Sequence, residues 1–156
     1  MSKPKKSKSF NYQLEDVLKV REIKAQQQQE KLSRAIQKVV EEKAKEDHLK
    51  ALESESYDTL LSMMKDALPD MNTIKMRKYH LEAIKKKVID QVAVRKTAED
   101  EEDEARKKLV QAMLDKKIIE KDKEKTRKKW QRLMNKENSK FLDEIAVTRF
   151  DSDLSE

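Results

Sequence analysis

Not one glycine occurs in the 156 residues of this chain. Tight hairpin turns, β-bulges and phosphate-cradling loops all lean on glycine's access to positive φ, so most non-helical architectures lose their usual hinge. Only two prolines are present, Pro4 and Pro69. Between and beyond them nothing in the backbone chemistry breaks a helix. Charged residues make up 44% of the chain and hydrophobic ones 36%, which suits long exposed helices better than a thick interior.

The spacing of the apolar residues separates this chain from a disordered one of equal polarity. Leu18, Ala25, Leu32, Ala35, Val39, Leu49, Leu60, Met63 and Ala67 fall on one alternating three-four series. The same series passes through Arg21, Gln28, Glu42, Glu46, Glu53 and Ser56, so the seam is apolar but interrupted. After Pro69 a second series holds Leu81, Ile84, Val88, Ala98, Ala105, Leu109, Ala112, Ile119, Trp130 and Leu133. Its polar members are Gln91, Arg95, Glu102, Lys116, Lys123 and Thr126. A repeat of about 3.5 residues implies supercoiling against a partner helix. A proline disfavours helix in the residue before it, and Asp70, Asn72 or Thr73 can cap the second helix.

The expectation is an all-α chain: two long helices in an antiparallel coiled-coil hairpin. Residues 1–9 read as a flexible basic tail, 10–68 as helix 1, 69–73 as the connection, 74–147 as helix 2 and 148–156 as an acidic tail. Folding at Pro69 brings Leu60 near Leu81. Helix 1 runs out near Tyr12, opposite roughly Arg127 to Trp130, so some 15 to 20 residues of helix 2 project beyond it at about 1.5 Å each.

Chemistry finds little purchase here. Cysteine is absent and only His48 and His80 could join carboxylates at a metal, so neither a thiolate site nor a histidine cluster is expected. No phosphate-binding or dinucleotide spacing appears. The expected function is binding, with no enzyme activity and no cofactor. No run approaches the roughly 20 apolar residues of a membrane span, and the basic N-terminus leads into no apolar stretch of signal-peptide length. The expectation is a cytoplasmic protein without membrane insertion.

The net charge is +6, mostly interspersed as on solvated helix faces. Two runs stand out. Glu99 to Glu104 are six consecutive acids, and Asp115 to Lys140 holds eleven Lys or Arg against five acids. That basic stretch contains Glu120, Asp122, Glu124 and Glu137 and no recognisable reading module, so nucleic acid is not the expected partner. Met63, Met64, Met71 and Met76 cluster around the connection, where adaptable thioethers suit irregular packing.

The ends carry the sharper signal. Phe10, Tyr12 and Leu14 alternate with polar residues before helical spacing begins at Val17 and Leu18. The last helical stretch holds Phe141, Leu142, Ile145, Ala146, Val147 and Phe150 where no partner helix is expected.

These two ends resemble those of the bacterial flagellar FliJ family. The opening Phe10-x-Tyr12-x-Leu14-Glu15-x-Val17-Leu18-x-x-Arg21 is similar to the start of many members. The closing Lys140-x-x-Asp143-Glu144-Ile145-Ala146-x-x-Arg149-Phe150 is similar to their end. Length, basic N-terminus and helix–break–helix plan agree across the whole chain. The resemblance implies a coiled-coil stalk of the flagellar type III protein export apparatus, similar in shape to the central stalk of rotary ATPases. Its termini would enter the hexameric export ATPase through Phe10, Tyr12, Leu14, Leu18, Arg21, Phe141, Asp143, Glu144, Ile145, Arg149 and Phe150. It further implies contact with the cytoplasmic domain of the export-gate membrane protein, by residues such as Tyr57, Leu61, Tyr79, His80 and Ile84. Handling of export chaperones, and a place beside the inner membrane at the flagellar base, belong to the same implication. The alternatives are the equivalent stalk of a virulence-type secretion system and a basic coiled coil associated with nucleic acid.

Overall fold

The computed structural model describes residues 8–153. Among them are two α-helices and no strand: α1, Glu15–Met64, and α2, Met71–Asp153. Most of the expected basic tail, residues 1–7, and the last three residues lie outside the described part.

Each boundary has a local cause. The chain is not helical at Phe10 or Tyr12, where a helix was expected from residue 10. In a helix residues two apart point nearly opposite ways, whereas extended backbone aims them to one side. Both rings face α2, so the segment stays extended and α1 opens only at Glu15. There Glu15 and Asp16 occupy the first turn, where negative charge suits the helix dipole. α1 stops at Met64, four residues before the expected Leu68, and unwinds through bonds from Lys65 N–H to Leu61 and Ser62 and from Asp66 N–H to Met63.

Of the three candidate caps, Asp70 does the capping. Its carboxylate accepts from Asn72 N–H at 3.1 Å and from the Thr73 hydroxyl at 2.7 Å. Those bonds, Thr73's first, hold its carboxyl below the usual value. With the cap at Asp70, α2 begins at Met71 rather than residue 74. No described residue has positive φ, so the reversal is made without the conformation glycine would have supplied. α2 also runs past Val147, the expected end, because no breaker comes after it; the Thr148 hydroxyl donates back to the Glu144 carbonyl within the helix.

The contacts form two compact units, Gln26–Gln111 and Met1–Ala25 with Ala112–Glu156. In the first, the helices run antiparallel. Leu60, Ile74 and Leu81 make a buried cluster with Met63 against it, while Val39, Ile84, Val88 and Ala98 are buried along the same seam. Full burial of such an aliphatic side chain is worth about 1.5–3 kcal/mol. Of the four methionines near the turn, Met63 packs; Met64, Met71 and Met76 are exposed.

A polar layer interrupts this seam. Glu42 and Glu46 are buried, and both are answered from α2. Gln91 Nε2 donates to Glu42 at 2.5 Å, and Arg95 donates to both Glu46 and Glu99. Slipping α2 by one heptad would set Glu46 against Val88 or Glu102, leaving a buried charge unpaired or repelled. The layer therefore fixes register. The acidic run finds a role beside it: Glu99 pairs with Lys43 at 3.5 Å and Glu101 with Lys38 at 2.7 Å across the hairpin.

These partners hold three carboxylates below their ordinary value. Gln91 then Lys45 do so for Glu42, Lys50 then Arg95 for Glu46, and Arg95 for Glu99, against opposition from burial. A carboxylate with a depressed folded pKa stabilises the fold above its unfolded value, 4.5 for Glu, and that contribution disappears as pH falls through the lower folded value. Melting followed by circular dichroism is expected to be flat from neutral pH to about pH 5 and to drop steeply below about 4.5. Glu42→Gln with Glu46→Gln should flatten that acid limb. An unchanged acid limb in the double variant would acquit the layer.

Candidate functional site

The unit containing the chain ends is built around the N-terminal segment. Tyr12 is buried, and its hydroxyl donates to Asp122 at 2.5 Å. That bond, with burial and the nearby Asp122 and Glu15 charges, pushes the phenol up to about 12, since all of these disfavour the phenolate. Phe10 tilts against Trp130 with ring centroids 5.8 Å apart and stacks on Tyr12 at 6.5 Å. Lys123 pairs with Glu15 at 2.7 Å, and Arg21 donates to the Asp115 carbonyl at 3.0 Å. Leu18 is buried beneath them. Extended segment, helix start and α2 are thus clasped together.

The opening motif consequently divides. Tyr12, Leu18 and Arg21 are spent largely inside the hairpin, and Phe10 is half-buried on Trp130. Leu14, at 41% exposure, faces outward. Sequence reasoning placed Trp130 opposite the start of helix 1, which is where it stands; it did not anticipate Asp122, because a carboxylate in a basic run carries no sign that a tyrosine will bond it.

Beyond Trp130, α2 continues to Asp153 with no described residue of α1 against it. Phe141, Leu142, Val147 and Phe150 are each more than 60% exposed, Ile145 is half-buried, and Asp143, Glu144 and Arg149 are exposed. Leu133, expected on the seam, is exposed instead, and Met134 is partly covered. A lone helical segment of this length is marginal in water, and exposing several bulky apolar residues on it is costly.

The second candidate set lies in the other unit and is less uniform. Tyr57, Leu61, Tyr79 and His80 are exposed, with Tyr57 and Leu61 neighbours one turn apart on α1. Ile84 is only 5% exposed and belongs to the hairpin seam. A residue so covered cannot touch a partner while the helices stay paired.

Among the described residues no three His, Cys, Asp or Glu side chains gather as metal ligands, and no helix is long and apolar enough to cross a membrane. No curated protein and no solved structure matches the chain. The family model described as "Flagellar FliJ protein" matches residues 10–154, both end motifs included, and on that match the chain belongs to the flagellar FliJ family.

Proposed function

We propose that this flagellar export protein is a non-enzymatic stalk whose chain-end unit enters the ring of the hexameric export ATPase and promotes its activity. The observation that carries this reading is the bare apolar end of α2, helical yet uncovered, on a hairpin otherwise closed by its own contacts. Phe141, Ile145 and Phe150 supply the buried contacts, and Leu14, exposed at the clasp, supplies another. Asp143, Glu144 and Arg149 fix orientation more than they add affinity, as charged rims do. Phe10, Tyr12, Leu18 and Arg21 act through the clasp, holding α2 in place instead of touching the ring. Exposed Tyr57, Leu61, Tyr79 and His80 are the surface offered to the export gate's cytoplasmic domain, and export chaperones are further clients of the same exposed faces. The protein works in the cytoplasm beside the inner membrane at the flagellar base.

Equilibrium binding of the full chain to purified export ATPase tests this reading. Phe141→Ser with Phe150→Ser is expected to weaken binding about 100-fold, because buried aromatics dominate interface energies. Equal affinity for the variant and the parent would remove the α2 end from the contact.

A further inference from the structure

The basic run of α2 is not spread evenly around the helix. Lys117, Lys121, Lys125, Lys128, Lys129, Arg132 and Lys136 succeed one another mostly at steps of three and four residues, the spacing that stacks side chains along one face. All seven are exposed. They lie on the side away from the residues that meet α1, namely Ala112, Ile119, Lys123 and Trp130. From residue 117 to residue 139 the acids that border this face are Glu124, one heptad after Lys117, and Asp122, one heptad before Lys129; Asn135 and Ser139 complete it. At about 1.5 Å per residue the row is roughly 28 Å long.

Four of the five acids between Asp115 and Lys140 have partners. Asp115 meets Arg21, Glu120 meets Lys116, Asp122 holds Tyr12, and Glu124 reaches Lys128 at the edge of the face. Among the described residues no ion pair reaches Lys117, Lys121, Lys125, Lys129, Arg132 or Lys136. Folding thus sorts a mixed sequence into an inner face that uses its charges and an outer one that is cationic apart from Glu124, which Lys128 neutralises.

We infer that this outer face of α2 is a docking surface for an anionic lipid bilayer, on which the helix lies without inserting. This goes beyond the proposed stalk role and does not depend on it, since it uses neither the clasp nor the apolar end. Two observations choose the occupant. A straight row on a rigid helix can bring every cation to a plane at once, and clusters of four to eight Lys or Arg suffice to hold a helix at an anionic leaflet. Six of the seven are lysine. Carboxylate-bearing protein surfaces and phosphate-reading sites favour arginine's bidentate fork, and protein interfaces are depleted in lysine. A diffuse sheet of headgroup charge asks only for compact, mobile point charges. Ile118 and Leu133, both exposed, flank the row and can rest at the headgroup level.

Co-sedimentation of the full chain with vesicles tests the inference. Vesicles of phosphatidylcholine with about 30% phosphatidylglycerol should bind it, pure phosphatidylcholine should not, and about 0.5 M salt should release it. The variant Lys121→Glu, Lys125→Glu, Lys129→Glu and Arg132→Glu breaks no ion pair of the hairpin. It should melt like the parent and bind anionic vesicles at least about 100-fold more weakly. A second variant, with Lys3, Lys5, Lys6 and Lys8 all changed to Gln, should retain most of the binding. The inference is overturned if the tail variant loses binding and the face variant keeps it, or if neutral vesicles bind equally well. It is also overturned if the chain ignores anionic vesicles while the face variant loses affinity for single-stranded DNA or for the export ATPase.

Discussion

Leu81→Asp is expected to abolish the cooperative melting of the hairpin at room temperature. Leu81 is 5% exposed and packs with Leu60, Ile74 and Met63 at the turn end of its unit. A carboxylate there loses the aliphatic contacts and is also stranded without a partner, a combined cost of about 4 kcal/mol or more. Folded domains hold a margin of only about 5–15 kcal/mol, and two helices share a stripe of contacts with no thick core behind it. Helices freed from one another are marginal in water, so helicity itself should fall with pairing. Leu114→Asp is the matched control, since Leu114 is 51% exposed; changes at such sites stay within about 0.5 kcal/mol. Comparable losses in both variants would mean that the seam does not support the fold.

A chain ending at Met134 is expected to keep its melting profile and lose stimulation of the export ATPase. Every contact of the clasp, from Arg21 and Asp115 to Phe10 and Trp130, lies before the cut. The removed helix carries Phe141, Ile145 and Phe150, the residues proposed to enter the ring. Hydrolysis rates with added full-length and shortened chain, beside circular-dichroism melts of both, make the comparison. A shortened chain that melts like the parent and still stimulates hydrolysis would show that coupling resides elsewhere. One that melts early would instead show that the bare helix supports the hairpin.

Much of this architecture was legible in the residues. The two series named every buried position of α1 from Leu18 to Leu60 and of α2 from Leu81 to Ala112. Heptad spacing admits only one face per helix, and without glycine only the region around Pro69 could reverse the chain. The pairing of Leu60 with Leu81 comes from the place of that reversal alone. The exposed α2 end was legible too, from the unequal lengths of the helices on either side of it.

Pairing across the seam was decided in three dimensions. Periodicity marks Glu42, Glu46, Gln91 and Arg95 as seam positions, yet it leaves open whether they are weak points or a matched layer; that depends on which turn of α2 faces which turn of α1. The same holds for Glu99 and Glu101, an unexplained acidic run until Lys43 and Lys38 stand opposite them. Tyr12 sits in a motif that the family resemblance assigned to a partner, and folding turned it inward, because α2 offers Asp122 within reach. A linear pattern determines which face of each helix is buried. Only the folded register determines what each polar group on that face will meet, because the strength of a charge–charge or hydrogen-bonded contact depends on a few ångströms that the pattern does not contain.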